Sequence, residues 1–272
     1  MIDNRFCVRQ PQSSNSTTPQ TREYVHIRTF LDILQTLLSE QDQTVAQSIR
    51  ISENELAQIW GWNAIVPPTA ERCMHDIIAD EMRKDPERPA VLSWDGELTY
   101  GELDRLSAQL AVKLMGLGVG VGVTVPLCFE KSMWTVVGVL AIMRAGGGIV
   151  LTDPAQPEAR LRTIMTEVDA RIILTSQKQS ELGSRIMPEA QIVIVGPELL
   201  SNTEEVALSS LPRVPGSATL YVIFTSGSTG KPKGVVISHS NYTSGAIPRG
   251  EAVGYRSHSR VLDFASYGMY HF

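Results

Sequence analysis

Apolar residues recur along this chain in two periods, and the alternation between them organises the reading. From Ile27 through Phe30, Leu31 and Leu34 to Leu38 the spacing is helical and predicts an amphipathic helix over 24–38. Leu103, Leu106, Leu110, Val112 and Leu114 predict the apolar face of a helix over Glu102–Leu117. Further helices are expected over Glu71–Arg83, over Ser132–Arg144, and over Glu158–Val168 after Pro157. Between them lie short β-type runs: "AVLSW" and "ELTY" around an Asp95-Gly96 turn, then "VTVPLCF", "GGIVL", "RIILTS", "AQIVIVG" and "TLYVIFT". Short apolar strands separated by helices pair in parallel and carry helices on the sheet faces. The expected fold class is α/β, a mostly parallel sheet flanked by helices.

The ends differ in character. Residues 1–22 are rich in Ser, Thr, Gln and Pro, which predicts disorder. "SENELAQIWGWN" opens with a capping-type Ser52 and carries Glu55 three residues on; the helix it predicts ends near Gly61, and Pro67-Pro68 forbids its continuation. Residues 1–69 therefore read as a tail with linker helices, and 70–272 as one domain. Within it, the Ser/Pro-rich stretch 201–217 reads as a surface connection.

Composition narrows the field. The 272 residues are 43% hydrophobic and 19% charged, with 24 basic and 29 acidic side chains, a net charge of −5. No basic patch points to a nucleic-acid partner. Cys7, Cys73 and Cys128 are widely separated, and the five histidines show no ligand spacing, so no metal site is expected. The N-terminus lacks the apolar centre of a signal peptide. The longest apolar stretch, Met133–Met143, is broken by Thr135 and Gly138 and falls short of the roughly 18 residues a bilayer requires. The expectation is a cytoplasmic protein with no membrane partner.

One segment carries chemistry. "YVIFTSGSTGKPKGVVISHS", Tyr221 to Ser240, places a Gly/Ser/Thr loop with two lysines between two apolar β runs. Only Ser228 and Thr229 separate Gly227 from Gly230, and Pro232 follows Lys231, so neither the spacing nor the helix of a Walker A loop is met. Gly227, Gly230 and Gly234 permit positive φ and close backbone approach, so successive N–H groups can form an anion nest. Thr225, Ser226, Ser228 and Thr229 add hydroxyl donors; Lys231 and Lys233 add positive charge. The competing reading is a solvent-exposed hairpin loop of turn formers. Four hydroxyls, three glycines and two lysines in ten residues favour a polyphosphate cradle.

This stretch closely resembles the phosphate-binding signature of the adenylate-forming enzymes, and more narrowly the adenylation domains of nonribosomal peptide synthetases. "LTYGELDRLSAQLA" (Leu98–Ala111) is similar to an early helix motif of that family, and "AIMRAGGGIVLTDPAQPEARL" (Ala141–Leu161) to its second motif, from which Ile149, Leu151 and Thr152 depart mildly. "IWGWNAIVPPTAERCMHDII" (Ile59–Ile78) resembles the linker preceding such a domain in a multimodular synthetase, which stand-alone acyl- or aryl-CoA ligases of the superfamily do not usually carry. The helix at 24–38 is then the remnant of an upstream condensation domain's end.

The resemblance implies ATP and Mg²⁺ as cofactors, a small carboxylic or amino acid as substrate, and transfer of the activated acyl group to phosphopantetheine on a separate carrier domain. Thr225, Ser226, Gly227, Ser228, Thr229, Gly230 and Lys233 would hold the phosphates, with Lys231 at a more variable position. His239 is expected either to line the acyl pocket or to cap a helix or lie at the surface. The closing "VLDFASYGMYHF" matches the start of a substrate-pocket segment, which makes Phe264 and Tyr270 pocket candidates. Where amino-acid-activating members carry an aspartate for the substrate ammonium, Tyr270 stands here. Two explanations are open: a substrate without an α-amino group, or final residues read out of frame.

The resemblance covers about the first half of the family's large N-terminal domain, and the adenine, ribose and catalytic-lysine motifs have no counterpart, so no catalytic residue is assigned. The expectation is a truncated adenylation domain, inactive alone, with an open sheet edge and marginal stability. A non-catalytic nucleotide-binding fragment, a subunit complementing a partner in trans, and a truncated acyl- or aryl-CoA ligase are the alternatives.

Overall fold

The computed structural model of the chain describes residues 30–31, 33–35, 38–39, 51, 53–66, 68–201, 210–226 and 232–268. The disordered tail expected over 1–22 and the capping Ser52 fall outside them. The chain divides into two compact units, Met1–Pro68 with Arg249–Ser257, and Thr69–Pro248 with His258–Phe272.

In the first unit, residues 30–31, 33–35 and 38–39 of the helix expected over 24–38 are helical. A second helix, α1 (Glu53–Asn63), buries none of its residues, and Trp60 and Trp62 stand exposed on it.

The second unit holds the sheet. Helix α2 (Met74–Lys84) leads to a separate antiparallel pair, β1 (Pro89–Ser93) and β2 (Gly96–Thr99), joined through a turn at Trp94-Asp95, one residue before the expected Asp95-Gly96, because Gly96 already pairs with Ser93. Helix α3 (Tyr100–Gly116) starts in a reciprocal cap: the Glu102 N–H donates to Thr99 Oγ1 at 3.2 Å, and the Thr99 N–H to Glu102 Oε2 at 2.8 Å. Leu103, Leu106, Leu110 and Leu114 are buried on it, whereas Val112, expected on the same face, is exposed; Ala111 takes that place in the core.

Six strands follow with their helices: β3 (Thr124–Cys128), α4 (Met133–Ala145), β4 (Gly148–Thr152), α5 (Glu158–Glu167), β5 (Ile172–Thr175), α6 (Ser180–Ile186), β6 (Gln191–Ile194), β7 (Thr219–Ser226) and β8 (Pro232–Ser238). Helix α7 (His239–Ala252) comes last. The spatial order is β6-β5-β3-β4-β7-β8; every neighbouring pair is parallel except β7 with β8. The mostly parallel α/β sheet is thus observed as expected.

Strand parity sorts the core. Leu127, Ile149, Ile172 and Leu174 join one apolar cluster with Val137, Leu140 and Ala141 of α4 and the leucines of α3. Their sequence neighbours Cys128 and Ile173 face Leu161 and Met165 of α5 and Ile186 of α6, while Val150 packs with Ile164, Val222 and Phe224. Burial on both faces explains why these strands are continuously apolar rather than alternating. Helix α4 is buried nearly all round because it lies between the sheet and α3; a Cβ at Gly138 would stand 3.1 Å from Leu127 Cδ2, so glycine permits that close approach. It ends at Gly146 in the left-handed region, φ 88°. Among the described residues no helix is long and apolar enough to cross a membrane.

One helix start changes. The helix expected from Glu71 begins at Met74, because tertiary partners hold the backbone before it: the Thr243 hydroxyl donates to the Ala70 and Arg72 carbonyls, and the Ala70 N–H donates to Ser244 Oγ. The connection expected at the surface over 201–217 is, in its described residues 210–217, exposed or half-buried apart from Val214, which packs with Cys73 and with Ala218 just beyond it.

Candidate functional site

Sheet topology fixes where a site forms. The chain leaves β3 through α4 to reach β4 on one side, then crosses back through α5 to β5 on the other. The loops after β3 and β4 therefore part toward opposite faces and open a crevice at the strand C-termini. A cavity of about 390 Å³ lies there. Its walls are Phe129, Glu130 and Lys131 after β3, Asp153, Pro154 and Ala155 after β4, Lys178 and Gln179 after β5, and Ser266 and Tyr267 from the segment after α7.

A second cavity of about 260 Å³ adjoins α4, β4 and β7; Val136, Val139, Leu151, Val222 and Ile223 make it apolar, and Ser266 and Tyr267 line it too. The segment Asp263–Gly268 thus forms a strap bordering both cavities. Lys131 Nζ donates to Asp263 Oδ1 at 2.6 Å and stands 3.8 Å from the centroid of the Tyr267 ring. The Tyr267 hydroxyl donates to Asp263 Oδ2 at 3.3 Å, and burial pushes that phenol well above its usual range. The Ser266 hydroxyl donates to Asp153 Oδ2 and accepts the Gly268 N–H at 3.1 Å. Below, the Ser176 hydroxyl and the Gln179 amide both donate to Glu130 Oε2, at 2.9 and 3.1 Å.

The stretch expected to cradle phosphate begins at the C-terminal end of β7 and resumes in β8. Antiparallel pairing of β7 with β8 runs from Thr219↔Ser238 to Thr225↔Lys233 and Ser226↔Pro232. Thr225, Ser226 and Lys233 lie in these strands, with Lys233 exposed. Gly227, Ser228, Thr229, Gly230 and Lys231 lie outside the described residues. Gly234, expected to supply positive φ, is instead extended within β8; a Cβ there would stand 3.1 Å from Val222 Cγ1 and 3.3 Å from the Phe224 ring, so glycine serves packing.

Of the expected pocket residues, two are described. Phe264 is exposed and lines neither cavity. Tyr270 lies outside the described residues. His239 is fully buried at the start of α7, also away from both cavities, so the surface placement left open for it is corrected.

His239 belongs instead to a cluster invisible in the spacing. Its Nδ1 accepts the Met74 N–H at 3.1 Å, its ring meets that of His75 edge-on at 5.2 Å, and the Cys73 thiol donates to the Val214 carbonyl at 3.2 Å. Burial, and then the neighbouring His75, push the His239 pKa down to about 4; burial pushes the Cys73 thiol up to about 11. One ligand atom from each of Cys73, His75 and His239 falls within 4.8 Å of the others, a donor set for a soft cation. The set does not fit one. A metal-bound imidazole donates its second nitrogen's proton, whereas His239 uses Nδ1 to accept and so carries its proton on Nε2. The trio is a clamp between α2 and α7.

Sequence reasoning does not single out Lys131, Asp153, Asp263, Ser266 or Tyr267. The last four sit in motifs quoted above, but no spacing rule links positions more than a hundred residues apart.

A mostly parallel sheet with helices on both faces and an antiparallel β7–β8 pair at one edge defines the class as a doubly wound α/β protein. The model of the AMP-binding enzyme family matches residues 78–269, and the chain belongs to that family. It is 57% identical over 250 residues to nonribosomal peptide synthetase 1 of Ajellomyces capsulatus, a match covering 89% of the chain and 14% of that relative. It is 58% identical over 217 residues to the nonribosomal peptide synthetase SIDD of Beauveria bassiana, covering 80% of the chain and 12% of the relative. The chain therefore spans about one-seventh of these curated relatives.

Among solved structures, it is similar to the nonribosomal peptide synthetase FmoA3 (S1046A) in its α-methyl-L-serine-AMP-bound form, with TM-score 0.60, 24% identity, and coverage of 84% of this chain and 25% of that one. It is also similar to VinN with 3-methylaspartate, with TM-score 0.59, 22% identity, and coverage of 69% and 53%. These likenesses carry the fold.

Proposed function

We propose that the chain supplies the phosphate-binding part of an adenylation domain in a nonribosomal peptide synthetase. The reaction is activation of a small carboxylic or amino acid by ATP. An oxygen of the acid's carboxylate attacks the α-phosphorus, the bond to the β-phosphate oxygen breaks, and acyl-AMP and pyrophosphate form. Transfer to a phosphopantetheine thiol on a carrier domain follows, with condensation domains as the further partners. The observation that supports the reading is the β7–β8 register, in which Thr225 pairs with Lys233 and Ser226 with Pro232, the strand ends that flank the Gly/Ser/Thr stretch in sequence.

Thr225, Ser226 and Lys233 would flank the phosphates, and the tip residues Gly227, Ser228, Thr229 and Gly230 would cradle them through backbone N–H groups. Lys233 would offset charge gathering on the leaving pyrophosphate. The described part of the hairpin carries no carboxylate, so Mg²⁺ would arrive held by the nucleotide rather than by these strands. Buried free thiols at Cys73 and Cys128 suit a reducing, cytoplasmic setting.

A second reading has its own observation. Val235 and Val236 are exposed on β8 at the end of the sheet, an edge that favours action together with a further polypeptide segment. Calorimetric titration with ATP, alongside acid-dependent ATP–pyrophosphate exchange, separates the two. Binding with exchange supports adenylation by this chain. Binding without exchange supports the assisted reading. Absence of binding overturns both.

A further inference from the structure

We propose that Lys131 and Ser266 are positioning residues for the acid substrate: they anchor the Asp263–Gly268 strap so that Tyr267 stands as the common wall of the two crest cavities. The inference rests on the adenylation reading for the identity of the ligand and on this chain's own contacts for the anchoring.

Two anchors come from loops on opposite sides of the topological switch. Lys131, after β3, pairs with Asp263 at 2.6 Å and caps the Tyr267 ring at 3.8 Å. Asp153, after β4, receives the Ser266 hydroxyl and also the Ala155 N–H at 2.9 Å, so it is itself fixed within its turn. Gly268 lies against the same turn, where a Cβ would stand 3.4 Å from Asp153 Cβ and would displace the Gln156 amide. The strap has no regular secondary structure of its own. Its shape is therefore set by these few contacts, and Ser266 and Tyr267 are the residues it presents to both cavities. Ligands of open α/β sheets sit in this crevice, so a strap that moves changes the volume offered to the bound acid. Among the described residues, β7 and β8 make none of these anchoring contacts, so loss of an anchor acts on the acid rather than on ATP.

The test compares wild type with Lys131→Met, Lys131→Arg and Ser266→Ala in the full chain. Lys131→Met keeps the aliphatic stem without the charge; Lys131→Arg keeps both the pairing with Asp263 and the stacking on Tyr267. The expected result is a rise of about tenfold in KM for the acid in pyrophosphate exchange for Lys131→Met and Ser266→Ala, with KM for ATP unchanged, and recovery in Lys131→Arg. Amide hydrogen exchange read over 263–268 is expected to speed up in the same two variants and not in the third. Equal rises in both KM values, or unchanged acid KM with a loosened strap, overturn the positioning role. A wild-type chain that exchanges pyrophosphate with no acid overturns the adenylation reading; strap amides that exchange equally fast in wild type and Lys131→Met overturn the anchoring itself.

Discussion

His239 Nδ1 accepts the backbone N–H of Met74 at 3.1 Å, tying the first residue of α7 to the first residue of α2 across 165 positions of sequence. Thr243, one turn along α7, adds hydroxyl bonds to the Ala70 and Arg72 carbonyls. This seam holds the entry of the second unit against the helix that follows the hairpin.

Replacing His239 by Phe keeps the apolar volume and leaves the Met74 N–H buried without its acceptor. The expected cost is about 1–3 kcal/mol, a fall in Tm of roughly 2–10 °C for a domain of this size. Differential scanning calorimetry measures it. A Tm within a degree of wild type would show that the seam does not depend on this bond.

The same residue gives stability a pH dependence. Its pKa falls from 6.5 to about 4 in the folded chain, so between these values the unfolded chain binds the extra proton. Stability is then full above pH 6.5, declines as pH falls through the window, and changes no further on this account below pH 4, a loss of about 3 kcal/mol. His75, lowered by burial and then by Arg144 against the opposing pull of Asp76, acts in the same direction. Urea denaturation from pH 7 to 4 should show this slope, and His239→Phe should flatten it.

Arg144 is 4% exposed and pairs with Asp104, whose carbonyl also accepts from it at 2.8 Å. Asp104→Ala leaves the guanidinium buried without its carboxylate and is expected to cost about 3 kcal/mol. Adding Arg144→Met to that variant should recover most of the loss. A double-mutant cycle reads the coupling, and additive losses would contradict a pair that acts as a unit.

Lys233 is exposed on β8 and contributes charge rather than packing. Lys233→Ala is expected to weaken ATP binding about tenfold, with the effect shrinking at high salt and Tm unchanged. Equal affinities at low salt in titration calorimetry would remove Lys233 from the phosphate site.

Much of the fold is legible in the chain because its signals are local. Apolar runs bounded by turn formers locate the strands, and the Thr99–Glu102 cap and the leucines of α3 mark a helix from its own residues. The hairpin is legible for the same reason, as hydroxyls, glycines and lysines concentrate in one stretch. Gly234 reads as a turn glycine yet serves packing, because glycine answers two demands, positive φ and missing volume, and composition does not distinguish them. Helix α2 begins later than its pattern because side chains of α7 hold the backbone of residues 70–72, which local propensity does not register.

The sequence by itself determined the class of fold and the two strands that flank the Gly/Ser/Thr stretch, since each follows from residues close together in the chain. Tertiary structure alone decided that His239 joins Cys73 and His75 in a buried clamp, that Lys131 meets Asp263 and Tyr267, and that Ser266 meets Asp153. Those pairs are set by the crossing of β3 and β4 connections and by the return of the last segment to the sheet's crest. Contacts over such separations arise from packing the whole sheet, and no periodicity in the chain encodes them.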